Sequence, residues 1–162
     1  MSVNSDPLRE SIRKVAEHEG VNNNDVLLSL QVSGGSPDEA YIFSLTATGQ
    51  GIVTYEYSDK MRGVETQTGQ VTLEDEELAN LFKSIVTSGV LDIVQSPASF
   101  IPDTTVGRLE ISNGSETYTT YFAAEMDQAE AQDLIPPPEL IEVVEAIYRL
   151  GADIIGMQTI KP

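Results

Sequence analysis

The sequence predicts an α+β fold: a mainly antiparallel sheet of about six strands, with a central and a C-terminal helix on one face and a further helix at the N-terminus. Three observations carry that reading. Apolar residues alternate with polar ones through "VLLSLQVS" and "YIFSLTA", the period of a half-buried strand. They recur at helical spacing in "TLEDEELANLFKSIVTSG" and "PELIEVVEAIYRLG". An Asn113-Gly114 pair between two alternating runs then marks a hairpin turn. At 162 residues the chain suits one domain, 1–162, large enough to bury a core without a disulfide or metal.

In chain order, residues 5–20 read as a helix, with Ser5 or Asp6 as cap, Pro7 in the first turn, Leu8, Ile12, Val15 and Ala16 as a narrow apolar stripe, and Gly20 as stop. That stripe is expected to pack on the body. Residues 26–72 read as a four-stranded meander. Val26, Leu28, Leu30 and Val32 share one face, as do Tyr41, Phe43, Leu45 and Ala47, followed by Val53, Tyr55 and Tyr57 and then by "VETQTGQVTL". Residues 73–88 read as a helix capped by Thr72, with acids in its first turn, Leu78, Leu81, Phe82 and Ile85 inward, and Gly89 just past its end. Residues 104–122 form the Asn-Gly hairpin, with Leu109 and Ile111 facing Tyr118 and Phe122. Residues 138–151 form the last helix, opened by Pro138 and closed at Gly151.

The formal charge is −17, from 26 acidic and nine basic side chains. A field of that sign repels phosphate backbones and anionic headgroups, so neither nucleic acid nor a membrane is expected as partner. No run approaches the roughly 18 apolar residues of a membrane span, and no apolar signal follows the N-terminal charges. The absence of cysteine removes disulfides and thiol chemistry and fits a cytoplasmic protein.

Candidate sites are few. Ser33, Gly34, Gly35, Ser36, Pro37 and Asp38 lie between two strand patterns. A phosphate loop needs backbone N–H groups converging at a helix start, whereas here Pro37, Asp38 and Glu39 follow the glycines and a strand comes next. The stretch therefore reads as the tip of the first hairpin and as a loop for contact with another protein. His18, between Glu17 and Glu19, builds neither a zinc site nor a Ser-His-Asp triad alone. Glu125, Asp127, Glu130 and Asp133 share a loop, but their spacing and the missing central glycine do not match an EF-hand. A glycosidase cleft is normally lined by aromatics, and the chain has no tryptophan and only 6% aromatic residues. Tyr55 and Tyr57 share a strand face, for which core packing is the commoner reason than a binding platform. No motif names a catalytic residue, a metal or a cofactor.

The succession "VSGGSPDEAYIFSL", a glycine-marked strand and "LEDEELANLFKSI" resembles the small bacterial proteins typified by emfourin, over residues 26–91. The resemblance implies a compact α+β protein that inhibits a metallopeptidase. The leading helix and the proline-terminated acidic loop lie outside the pattern, and no functional residue is carried over.

Two functions are in view: a non-catalytic binding or regulatory module working through protein–protein contact, and a small carboxylate-dependent hydrolase. The first is preferred, because enzymes need polar groups that converge, and no spacing announces them. Oligomeric state stays open, a dimer through an unpaired edge strand included.

Overall fold

The structure, a computed structural model, describes residues 5–17, 26–34, 40–97, 105–124 and 136–155. It is the α+β fold that the sequence predicts. The elements run α1 (Ser5–Ala16), β1 (Leu27–Gly34), β2 (Tyr41–Thr48), β3 (Ile52–Asp59), β4 (Val64–Thr72), α2 (Asp75–Ser88), a 3₁₀ turn (Val90–Asp92), β5 (Val106–Ser112), β6 (Thr117–Ala123) and α3 (Pro138–Ile155). The six strands form one sheet in the order β4-β3-β2-β1-β5-β6, each neighbouring pair antiparallel. The meander explains four of the six strands, since each short turn returns the chain beside the strand it has just left. The Asn-Gly hairpin then joins the free edge of β1, which becomes a central strand.

Alternation decides which face is covered. Leu28, Leu30 and Val32 of β1, Phe43, Leu45 and Ala47 of β2, Val53 and Tyr57 of β3, and Leu109 and Ile111 of β5 are fully buried on one side. The three helices lie on that side, their apolar stripes joined to the strands in a single core. Leu8, Ile12 and Val15 bury α1 against α2, as its stripe predicts. The Arg9 guanidinium also pairs with Asp92, at 2.5 Å, and Asn113 Nδ2 donates to Ser11 Oγ at 3.3 Å, tying α1 to the turn after α2 and to the hairpin tip. Tyr57, Tyr118 and Phe122 are core residues.

Two helix ends differ from expectation. The cap of α2 is Glu74 rather than Thr72: Thr72 is still paired with Ile52 in the sheet, and the Glu74 N–H donates to the Glu77 carboxylate at 3.3 Å. Helix α3 does not stop at Gly151 but continues to Ile155. Gly151 is buried there because a Cβ would stand 2.7 Å from the Phe43 ring, so the residue is a notch for an aromatic rather than a stop signal. Phe43 in turn packs on Tyr148, ring centroids 5.0 Å apart. Gly89 does end α2, with φ of 81°.

Candidate functional site

The opposite face of the sheet carries no helix among the described residues. Its side chains are the other half of each strand's alternation, and register aligns them into rows across the sheet. One row runs Gln70, Thr54, Thr46, Ser29, Glu110 and Thr119. The next runs Thr68, Glu56, Ser44, Gln31, Arg108 and Tyr121. Both rows consist of hydrogen-bonding groups, with Arg108 on the strand next to the β6 edge, 3.7 Å from the Glu110 carboxylate. Thr46 Oγ1 donates to Ser29 Oγ at 3.3 Å. Toward the β1–β2 end the surface becomes mixed: exposed Ser33 lies between half-buried Ile42 and Val106. Polar rows beside small apolar side chains suit a protein surface, which offers both kinds of group.

Ser33 and Gly34 of the predicted contact loop close β1, Gly34 opposite Tyr41, so the residues between them connect two antiparallel neighbours. Gly35, Ser36, Pro37 and Asp38 lie outside the described residues, as do His18, Glu125, Asp127, Glu130 and Asp133. Gly34 is held by closeness: a Cβ there would stand 2.7 Å from the Thr105 Cα and 2.6 Å from its Oγ1.

Behind this end of the sheet, on the core side, lies a group of tyrosines. The rings of Tyr41 and Tyr57 meet edge to face, centroids 5.9 Å apart. Burial raises the phenol pKa values of Tyr41, Tyr57 and Tyr148; nearby Asp59 adds to the rise at Tyr41 and Tyr57, and Arg62 opposes it. Buried Asp59 accepts from the Arg62 N–H at 3.3 Å and pairs with its guanidinium at 3.5 Å, fastening the β3–β4 turn. These shifts follow from core packing. The depressions nearby are shallow and open, lined by Ser58, Lys60 and the start of β4. Asp92 and Glu10 are acidified by the arginines they bind, Arg9 and Arg13. Among the described residues no three Asp, Glu, His or Cys side chains gather where they could hold a metal ion.

The polar rows are the part that sequence reading missed. Their signal was present in the residues skipped by the apolar alternation: Ser29, Gln31, Ser33, then Ser44 and Thr46. What the sequence does not supply is the register that sets them side by side. No protein-family model matches the chain, and no curated protein matches it in sequence. No described helix is long and apolar enough to cross a membrane.

Proposed function

We propose that this chain is a non-catalytic, acidic binding module that works through protein–protein contact, using the sheet face that carries no described helix and the adjoining β1–β2 loop. The observation that carries the reading is the pair of polar rows: a register-aligned hydrogen-bonding surface with Ser29 and Gln31 on central strand β1, Arg108 and Glu110 on neighbouring β5, and Ile42 and Val106 at its end. A surface of such mixed composition suits contact with another protein, whereas small ligands favour concave sites. The charge of −17 favours a partner with a basic surface. The likeness of residues 26–91 to emfourin supports an inhibitor-like role toward a metallopeptidase.

The test has two arms. The chain, immobilised in native lysate, should retain a partner whose release increases with salt, and a retained metallopeptidase should lose peptide-hydrolysing activity as the chain is titrated in. Gln31→Arg with Ser33→Arg should weaken both effects without unfolding the protein. Retention of no partner, together with hydrolase turnover that disappears in Glu110→Gln, would show instead a small carboxylate enzyme.

A further inference from the structure

The two edges of the sheet are treated differently. At β6 the outward backbone is covered by the chain itself: Tyr121 N–H donates to the Ser96 carbonyl at 2.9 Å, Thr119 N–H to Gln95 Oε1 at 2.8 Å, and Ser96 N–H to Thr120 Oγ1 at 3.0 Å. At the other end β4 is the terminal strand, with no described element on its outer side. Its direction of bonding follows from one contact. The Leu73 N–H donates to the Gly51 carbonyl at 2.8 Å, so in the same register Val71, Gly69 and Gln67 turn their backbone groups toward β3. Thr66, Thr68, Gln70 and Thr72 therefore turn theirs outward. Edge strands are usually guarded by lysine, proline or a bulge. Here the one irregularity lies at the turn end, between Tyr57 and Asp59, and β4 contains no lysine or proline and a single charge, Glu65.

We propose that β4 pairs with β4 of a second copy of this chain, antiparallel about a two-fold axis at Gly69, joining two sheets into one. Three features of β4 fit a second copy. Rotation about Gly69 sets Thr66 opposite Thr72 and Thr68 opposite Gln70, so every outward backbone group in that run finds a partner, and it sets Glu65 opposite Leu73. The axis falls on a pair that is not hydrogen-bonded, where Cα atoms approach to about 4.5 Å and a glycine fits best. Gly69 is also where the Tyr55 ring crosses the strand, its hydroxyl 2.5 Å from the position of a Cβ, so the two Tyr55 rings meet across the axis. Lastly, β4 has ends of opposite charge. It leaves a turn carrying exposed Lys60 and exposed Arg62, the latter also paired with Asp59, and runs into the exposed acids Glu74, Asp75, Glu76 and Glu77. Antiparallel pairing sets the basic turn of each copy beside the acidic helix start of the other.

Edge pairing buries little area and two strongly acidic copies repel, so the association belongs to the weak class, with Kd on the order of 10⁻⁵ M. Sedimentation equilibrium of the full chain at about 0.15 M salt, where charges are screened beyond about 8 Å, reads it directly. The mass should rise with concentration from 17.6 kDa toward twice that value and no further. Thr68→Pro should hold the mass at the monomer, because the N–H it removes is not used by β3, while Thr68→Val should still dimerise. Lys60→Glu, at the exposed turn and away from the Arg62–Asp59 pair, should weaken the dimer at least several-fold. Should Thr68→Pro misfold by circular dichroism, Thr68→Lys with Gln70→Lys keeps the ladder to β3 and places like charges opposite each other; it should be monomeric. A wild-type chain that stays monomeric up to about 10⁻³ M, growth beyond the dimer, or a folded Thr68→Pro or double-lysine variant that dimerises as well as wild type would each overturn the proposal.

Discussion

Gly34→Ala should destabilise the fold although alanine is the better residue in most settings. The added Cβ would stand 2.7 Å from the Thr105 Cα, 2.6 Å from its Oγ1 and 2.9 Å from its Cβ, where ordinary carbon contacts lie near 3.5–4.0 Å. A side chain end could rotate away, but a Cα moves only with its strand, and Thr105 is itself buried, with its carbonyl accepting from Ala124 N–H at 2.8 Å. Overpacking of this kind costs about 1–3 kcal/mol. Against it stands a gain of about 0.4–1 kcal/mol from the stiffer unfolded chain. The balance is a loss of about 1–2 kcal/mol, which in a domain of this length lowers Tm by roughly 2–8 °C. Urea titration followed by circular dichroism measures it, with an unchanged m-value marking a true stability effect. Thr105→Gly in the same chain removes the Oγ1 and Cβ contacts but leaves the Cα, so it should recover only part of the loss, and the two changes should be non-additive. A Gly34→Ala protein as stable as wild type would refute the close-approach explanation of this glycine.

Two further outcomes follow from the core and the surface. Tyr148→Phe should leave stability unchanged or raise it by up to about 1 kcal/mol, because the buried hydroxyl makes no hydrogen bond and an unsatisfied polar group is a cost; a urea midpoint lowered by that amount would refute it. Arg9 lowers the Asp92 pKa, so this pair contributes above the ordinary carboxylate value and its contribution is lost as pH falls through the depressed one. Being largely exposed it is worth less than about 1 kcal/mol, and Asp92→Asn should slightly flatten acid unfolding at low salt while leaving neutral-pH stability nearly unchanged.

The fold was legible wherever one element carries its own period. Leu78, Leu81, Phe82 and Ile85 define the inward stripe of α2, and Leu28, Leu30 and Val32 define the core face of β1, without reference to any other segment. Where an outcome depends on two distant segments, the sequence was silent or misleading. Gly151 looks like a helix stop until Phe43 is placed against it, and Thr72 looks like a cap until β3 claims it. The proposed contact surface is of this second kind. Gln31 and Arg108 are ordinary polar residues in their own strands and become neighbours only because β5 joins β1. The loop at Ser33 and Gly34 was legible as a hairpin end, since strand signals flank it on both sides, but the reason for Gly34 lies at Thr105.

The order of strands also bears on the order of assembly. β1 acquires β2 through a short connection, but its other neighbour, β5, follows only after the whole meander, α2 and the 3₁₀ turn. Closure of that long loop precedes any gain from pairing Leu28 with Ile111 and Leu30 with Leu109, so contact order predicts docking of the β5–β6 hairpin as the slow, entropy-limited event in folding. Until it occurs, the strand that ends at the centre of the mature sheet is an edge, and Leu28, Leu30 and Val32 lack half of their cover. A nascent chain is thus most exposed to misassociation at its eventual centre, and substitutions that weaken the β1–β5 seam should lengthen that exposure more than their equilibrium cost implies.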